Sequence, residues 1–460
     1  MKQVERTRSK LDLLGWPIIG QFFSNSKLMM AVRLIALLML ATAVYFGLVY
    51  PTEEENPYTG AIFWSLFWPF FLIVSMATLG TIFCGICPHS FIGKYLNKMG
   101  PKKPLPAALK NRWIGFGLLL VAYWVPIYVF PDVLKTPWVS ALFFLILTIV
   151  AFTMFYLYRN MAYCSSVCPI GSVTSAFSKV GFAQLTTDQD HCGTCRDYDC
   201  TKACEWNLRP YFFEKKNSMG DCTLCMDCSQ ACNAVEFKLT KPSATLTKEI
   251  KNKEPMNVWV YVWLFAVITV TMRYHHSLGH SSIKEQLPWV QMGNWLESMM
   301  PIPVLDWVGL VALVMAIAST FIIVKVSFSA AAKIADISYE KTFQTLGHVM
   351  APLMLIGALS HIGTFFFVHY AQDLMQAWHW LIGSGVIVEP IATFRDGWVH
   401  IFSLFNYVAV IWALIVLHKR VGLLALAGKQ RFMVWFVSAG IVWFYLFLVI
   451  FRATIPNGHH

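Results

Sequence analysis

The sequence predicts an all-α polytopic membrane protein of about nine transmembrane helices, with a small cysteine-rich domain inserted after the fourth. Composition, the spacing of the apolar runs and the clustering of the cysteines predict this fold class. Of the 460 residues, 57% are hydrophobic and only 13% are charged, and the mean hydropathy is +0.55. A soluble domain does not have that balance, and the abundance of tryptophan and tyrosine suits an aromatic belt at the membrane surface.

The apolar runs have the length that a bilayer requires, because about 20 helical residues cross about 30 Å of hydrocarbon. The predicted spans are 29–50, 61–83, 113–130, 139–158, 256–272, 308–326, 346–370, 399–418 and 432–451. The formal net charge of +11 comes largely from lysines and arginines in short loops between these runs, where they set orientation rather than bind nucleic acid. We therefore expect a multi-pass protein of the bacterial inner (cytoplasmic) membrane, with the N-terminus and the cysteine-rich domain cytoplasmic.

All twelve cysteines fall between residues 84 and 232 in paired motifs, which leaves none for a disulfide framework. The second of two long runs has the C-x2-C-x2-C-x3-C spacing of bacterial ferredoxins, and the first has two extra residues before its third cysteine. In two-cluster ferredoxins the fourth cysteine of each run ligates the other cluster. One predicted [4Fe-4S] cluster therefore has the ligands Cys192, Cys195, Cys200 and Cys232, and the other has Cys222, Cys225, Cys228 and Cys204.

This spacing predicts that the inserted domain is a cytoplasmic, bacterial-type two-cluster ferredoxin. A pair of structural zinc sites is the alternative, since C-x2-C knuckles also hold zinc. Three closely spaced cysteines plus a fourth, present twice, favour clusters. Glu205 and Asn233 stand where ferredoxins usually carry proline after the last cysteine. The predicted domains are 1–163, a four-helix membrane domain; 164–255, the cluster domain; and 256–460, a five-helix membrane domain.

An internal repeat precedes the ferredoxin motif. Each copy is a helical hairpin that ends in a cysteine pair and a proline, followed by a short amphipathic segment, and two copies imply a pseudo-twofold arrangement. The cysteine pairs are Cys84 with Cys87 and Cys164 with Cys168. We expect these four thiols to meet at the cytoplasmic membrane boundary and to hold a third iron–sulfur cluster. A redox-active dithiol pair or a zinc site are the alternatives.

Residues 30–260 resemble the NapH/NosR-type membrane polyferredoxins, the membrane parts of quinol-oxidising electron-transfer systems. The resemblance rests on the two cysteine–proline repeats followed by a ferredoxin module. The first repeat departs from it, with C-x2-C-P rather than C-x3-C-P, and the five C-terminal helices lie outside the basic pattern. The same motifs occur in a related factor that reduces copper during oxidase maturation, so the resemblance alone does not fix the role.

Histidines in the seventh and eighth predicted spans are functional candidates, because ionisable residues inside a membrane are costly. They are His348, His361, His369, His400 and His418. His400 and His418 lie 18 residues apart, on one helical face and about 27 Å apart along the axis. Histidines at matched depths on two antiparallel helices predict two haems b, one near each face.

The eighth span also resembles a haem-bearing helix of the cytochrome b subunit of respiratory nitrate reductase. By that resemblance His361 is the outer partner, whereas counting helical faces favours His369. A quinone or proton-transfer role is an alternative for these histidines, and His418 beside Lys419 also suits the capping of a helix end.

We expect a membrane-bound electron-transfer protein that relays electrons between the quinone pool and a redox protein partner, as a component of a quinol/quinone oxidoreductase. The sequence has no dinucleotide fingerprint, so hydride chemistry belongs to a partner. The alternatives are a biogenesis factor that uses cluster-derived electrons to reduce a metal, and a redox sensor.

Overall fold

The computed structural model describes residues 11–131, 133–220, 222–251 and 255–455, and within these ranges it is mostly helical, with one two-stranded sheet. The N-terminal residues 1–10, for which the sequence predicts a cytoplasmic position, lie outside these ranges.

The N-terminal membrane part carries both copies of the repeat. Its helices are α1 Pro17–Ser24, α2 Ser26–Val49, α3 Pro57–Thr78, α4 Ile82–Ile86, α5 Pro88–Met99, α6 Trp113–Val129, α7 Pro137–Leu157, α8 Ala162–Ser166 and α9 Gly171–Phe177, with a 3₁₀ turn at Ala107–Lys110. Within α3, residues 61–74 have the wider turns of a π-helix and include Pro69, which cannot donate a backbone hydrogen bond. The chain thus reaches each cysteine pair at the end of an apolar helix.

The inserted domain is built around a short antiparallel ladder. Its elements are β1 Ala183–Thr187, α10 Gln189–Thr194, α11 Asp199–Lys202, α12 Phe213–Lys216 (preceded by a 3₁₀ turn at Pro210–Phe212), α13 Asp227–Ala231 and β2 Val235–Leu239. Ala183 pairs with Leu239 and Thr187 with Val235. The N-terminal segment completes the domain, because the Asp12 carboxylate accepts hydrogen bonds from the amides of Leu14 and Phe237.

The C-terminal membrane part contains the longest helices. They are α14 Met256–Leu278, α15 Pro288–Met299, α16 Trp307–Ala335, α17 Tyr339–Leu381, α18 Gly397–Leu424, α19 Gly428–Ser438 and α20 Gly440–Thr454. The Tyr261 hydroxyl on α14 donates to the Ala176 carbonyl on α9, at 2.6 Å. One buried apolar core therefore runs through both membrane parts.

Seven helices of the described chain are long and apolar enough to cross a membrane, and α19 with α20, bent by 47°, gives an eighth candidate. The shorter apolar helix α6 occupies the position of the predicted third span. A helical, multi-pass membrane protein is thus confirmed. By length and composition, seven or eight helices of the described chain could span a membrane. The remaining predicted span corresponds to α6, which is shorter than these.

Arg420, near the end of α18, holds the exit of the inserted domain against the C-terminal part. Its buried guanidinium donates to the carbonyls of Leu246, Lys248 and Thr345. Each charge-assisted hydrogen bond of this kind contributes about 1.5–3 kcal/mol, and more is lost when a buried acceptor is left unpaired.

Arg420→Met is expected to lower the free energy of unfolding by about 2–3 kcal/mol, because three backbone carbonyls lose a charged donor. Thermal unfolding of the purified protein in detergent measures this. The matched control is Lys419→Met at the exposed neighbouring position, which should stay within about 0.5 kcal/mol of the parent. Equal losses in the two variants would contradict the assigned role of Arg420.

Candidate functional site

The two cysteine pairs of the repeat lie at equivalent turns. Cys87 is the N-cap residue of α5 and Pro88 its first residue, a position where proline loses no helical hydrogen bond. Cys164 lies on α8, and Cys168 precedes Pro169 and the start of α9. The folding of each hairpin therefore delivers one cysteine from a short helix and one from the turn that follows it.

The structure brings these four cysteines together. Cys84, Cys87, Cys164 and Cys168 line one cavity at the end of the N-terminal membrane part. Cys84 lies close enough to Cys87 and Cys168 to interact electrostatically, and Cys164 interacts with all three others. Gly115 on α6 permits the close approach, because a Cβ there would lie 2.6 Å from the Cys168 carbonyl oxygen. The four cysteines of the two repeat copies thus lie together, as the sequence predicts, and their pseudo-twofold relation stays a prediction.

The chemistry of this set fits an iron–sulfur cluster. Burial raises the pKa of the thiols of Cys84, Cys87 and Cys164 above the usual range, and raises that of Cys168 to about 12. Neighbouring thiols raise the values for Cys84, Cys164 and Cys168 further, since thiolates repel one another. Four buried thiolates at one point are stable only when a cation compensates their charge, and the irons of a cluster supply it.

Within the described ranges, no group of three or more cysteine, histidine or acidic side chains has an arrangement that could hold a single metal ion.

The ferredoxin cysteines form two further sets that combine both sequence runs. Cys200 interacts with Cys192, Cys195 and Cys232. Cys228 interacts with Cys222, Cys225 and Cys204, and these four line a small apolar pocket. The structure thus brings together the two groups of four that the crossed ferredoxin pattern predicts.

The loop that carries Cys225 has an unusual backbone. Leu224 and Met226 have φ values of 54° and 63°, in the left-handed region that costs a non-glycine residue about 1–2 kcal/mol. Such a loop is kept only where surrounding contacts hold it. Gly85 on α4 packs directly on it, since a Cβ at Gly85 would lie 2.7 Å from the Leu224 carbonyl oxygen.

The three sets lie in a row. Cys84 of the repeat set interacts with Cys222 of the second set, and Cys228 of the second set interacts with Cys200 of the third. Residues 193, 194 and 196–198 beside the third set are exposed, whereas the repeat set borders the membrane helices. The row therefore runs from the ends of the membrane helices to the protein surface.

Arg33 connects the first two sets and was not among the residues that the sequence patterns single out. It lies within the apolar helix α2, and its guanidinium donates to the carbonyls of Gly85 and Cys225, both at 3.0 Å. The Nη2 atom of this guanidinium also lies 3.8 Å from the Asp227 carboxylate, and Lys94 forms an ion pair with the same carboxylate. The signal that would have found it is a lone arginine inside an apolar run, since buried intramembrane charges are functional by default.

Two further contacts join the ferredoxin domain to the repeat. The Thr81 hydroxyl donates to the Cys222 carbonyl at 2.7 Å. Glu205, which replaces the usual ferredoxin proline, pairs with Lys98 of α5 at 3.0 Å. The departure from the ferredoxin pattern at this position therefore has a structural reason, because the carboxylate contacts the membrane part.

The cavity beside the repeat cysteines has a volume of about 160 Å³ and extends between α2, α3, α6 and α7. Its lining is almost entirely apolar and aromatic. His89 is one of its few polar residues, and its Nε2 lies 2.8 Å from the Thr148 hydroxyl. Burial lowers the pKa of His89 to about 4, so the ring is neutral at pH 7.

The predicted haem ligands are distributed differently. His348 is buried, and its ring contacts Tyr261; the rings of His361 and His369 contact Phe365, and that of His369 also contacts Phe394. His400 and His418 are exposed on the surface of the helix run α18.

The helices α17 and α18 approach each other closely at one point, where a Cβ at Gly363 would lie 2.3 Å from the Phe402 ring. Haem b at His348, His361, His369, His400 and His418 stays a prediction.

Arg33→Gln is expected to speed amide hydrogen exchange in residues 222–232 by at least about tenfold, because the loop around Cys225 loses a buried, charged donor. Exchange measured by mass spectrometry on the purified protein tests this. Lys98→Gln is the control, since an exposed ion pair contributes at most about 1 kcal/mol. A segment that exchanges at the parent rate in Arg33→Gln would show that the loop does not depend on this contact.

Comparison with known proteins agrees with the cysteine repeat. The family model Fer4_5, described as a 4Fe-4S binding domain, matches twice, at residues 61–106 and 140–184. These two ranges contain the two copies of the repeat, whereas the ferredoxin motif lies outside them.

The chain is also similar to two uncharacterized proteins of Methanocaldococcus jannaschii. It is 26% identical to MJ0750 over 178 residues, which is 35% of this chain and 72% of that protein. It is 28% identical to MJ0749 over 165 residues, which is 35% of this chain and 64% of that protein. No solved structure matches the chain. The family match and the apolar helices together support a multi-pass iron–sulfur membrane protein.

Proposed function

We propose that this protein relays electrons between the quinone pool and a redox protein partner through three [4Fe-4S] clusters in series. The observation that carries the proposal is the row of three four-cysteine sets, which begins beside a membrane cavity and ends at an exposed surface. Bound clusters would accept and pass one electron at a time.

The chain's own residues position the sets relative to one another. Arg33 and Thr81 each donate to a carbonyl of the second set's loop, and the Cys84 thiol of the repeat set lies 3.8 Å from the Thr174 hydroxyl. Contacts of this kind hold the ligand-bearing loops in place, and burial excludes water from a bound cluster. Positions set by rigid helices also keep successive carriers at constant separation.

The orientation follows from the basic loops. Lysines and arginines lie between α5 and α6, in the adjoining end turns of α16 and α17, and at the end of α18 and the start of α19, on the same side of the spans as the cysteine sets. By the positive-inside rule this side is cytoplasmic. The redox partner is then a cytoplasmic protein or a membrane-attached subunit, and the membrane is the bacterial inner membrane.

Cys87→Ser is expected to reduce the iron content from about twelve to about eight per chain, because one of three four-iron clusters loses a ligand. Iron analysis together with electron paramagnetic resonance of the reduced protein measures this. Ser165→Ala, at a polar residue between Cys164 and Cys168 that donates only to the Ala162 carbonyl, is the control and should keep the parent iron content. Unchanged iron in Cys87→Ser would refute the third cluster.

In proteoliposomes that contain a long-tailed quinone, the chemically reduced parent protein is expected to be reoxidised. The Cys168→Ser variant is expected to be reoxidised at least about tenfold more slowly, because the cluster nearest the membrane is lost. Optical bleaching of the clusters follows the reaction. A parent protein that stays reduced with quinone would contradict the relay. That result would favour the alternative of a factor that reduces a metal during cofactor assembly, or a redox sensor.

A further inference from the structure

The cavity that Cys84, Cys87, Cys164 and Cys168 line extends beyond these thiols, between α2, α3, α6 and α7. A cluster held by the four thiols would fill the end beside them, so a further ligand has its place in the part that lies among the membrane helices. Aromatic side chains form much of its wall, among them Trp68, Phe71 and Phe144. An apolar site of this kind excludes charged ligands, because their desolvation is not compensated.

Several buried polar groups that line this cavity have no hydrogen-bond partner in the described structure. Among them are the hydroxyls of Tyr123 on α6 and Ser175 on α9. A buried polar atom left unpaired costs about 1–3 kcal/mol, so such atoms in native proteins nearly always have a partner. Their position in an otherwise apolar cavity points to a ligand with polar atoms on an apolar ring.

The ring of Tyr123 is held in a fixed orientation. It stacks on Trp64, with centroids 5.4 Å apart, and tilts against Trp68 at 4.9 Å. The side chain is only 3% exposed. Its hydroxyl is therefore positioned in advance, and binding a ligand costs little further ordering of this side chain.

We propose that this cavity binds the head ring of a quinone, with the hydroxyls of Tyr123 and Ser175 hydrogen-bonded to the ring oxygens. The inference rests on the proposed relay and adds the location of its membrane-side substrate. Tyr123 contacts the ring from the membrane helices, and Ser175 contacts it from the helix that follows the second cysteine pair. The ring then lies directly against the repeat set, without an intervening carrier.

The tail of such a ligand has a route to lipid past α2. Ala36, Met39 and Leu40 of this helix line the cavity. Only 17% of the apolar window of α2 is buried, so most of the helix faces lipid. An isoprenoid chain leaving the cavity beside these residues enters the bilayer without crossing the protein core.

Equilibrium binding of two probes, a decyl-tailed benzoquinone and a naphthoquinone with the same tail, to the purified full-length protein tests the site. Tyr123→Phe removes one hydrogen bond in an apolar pocket and is expected to raise the Kd about tenfold. Tyr128→Phe is the matched control on the same helix run, because its buried hydroxyl lies near the Ile268 carbonyl and outside the cavity, and it should leave the Kd unchanged.

A second variant tests the cavity independently of the hydroxyl. Ala36→Phe adds a ring at the lipid-facing rim and is expected to weaken binding at least tenfold, whereas Ala41→Phe, on an exposed position of the same helix, should not. Parent-like affinity in both Tyr123→Phe and Ala36→Phe would overturn the proposed site.

Failure of the site and failure of the relay give different results. If the parent protein holds three clusters and is reoxidised by quinone, but neither variant changes the Kd, the quinone binds elsewhere and only this inference is wrong. If both variants weaken binding while the parent lacks the third cluster, the site stands and the relay is wrong.

Discussion

The arrangement of the cysteine sets depends on a buried arginine in a membrane helix. Arg33 donates to a carbonyl of the first repeat turn and to a carbonyl of the ferredoxin loop, and it lies near Asp227. A guanidinium inside an apolar helix is costly unless its donors are paired, so helix, turn and loop must pack together to satisfy it. This requirement fixes the ferredoxin domain on the membrane part and thereby sets the spacing between the first two cysteine sets.

The repeat explains why a cluster can be built at a membrane surface at all. Neither helical hairpin carries more than two of the four thiols, so the set exists only when both copies pack together. The matching of one family model to both copies agrees with this origin. The meeting point also leaves a cavity between the hairpins, which places an apolar, aromatic space directly beside the buried thiols.

Much of the helical fold and of the cysteine grouping could be predicted from the sequence, because the spacing of cysteines and the length of apolar runs are local properties. The crossed grouping of Cys204 with Cys222 and of Cys232 with Cys192 followed from motif spacing, and the structure places these residues together. The contacts of Arg33 with Cys225 and of Glu205 with Lys98 could not be read in this way, because they join residues more than 100 positions apart. Helical periodicity predicts the matched depths of the histidines on α17 and α18. It does not describe how the side chains of the two helices pack, and the contact of Gly363 with Phe402 depends on that packing.

The most direct measurement of the central claim is iron anomalous diffraction from crystals of the intact protein. The account predicts three separate groups of iron peaks, centred in the sets that contain Cys84, Cys222 and Cys192, in that order from the membrane cavity to the surface. Only two groups, with no iron between Cys84 and Cys168, would contradict it, because the row of carriers would then not reach the membrane.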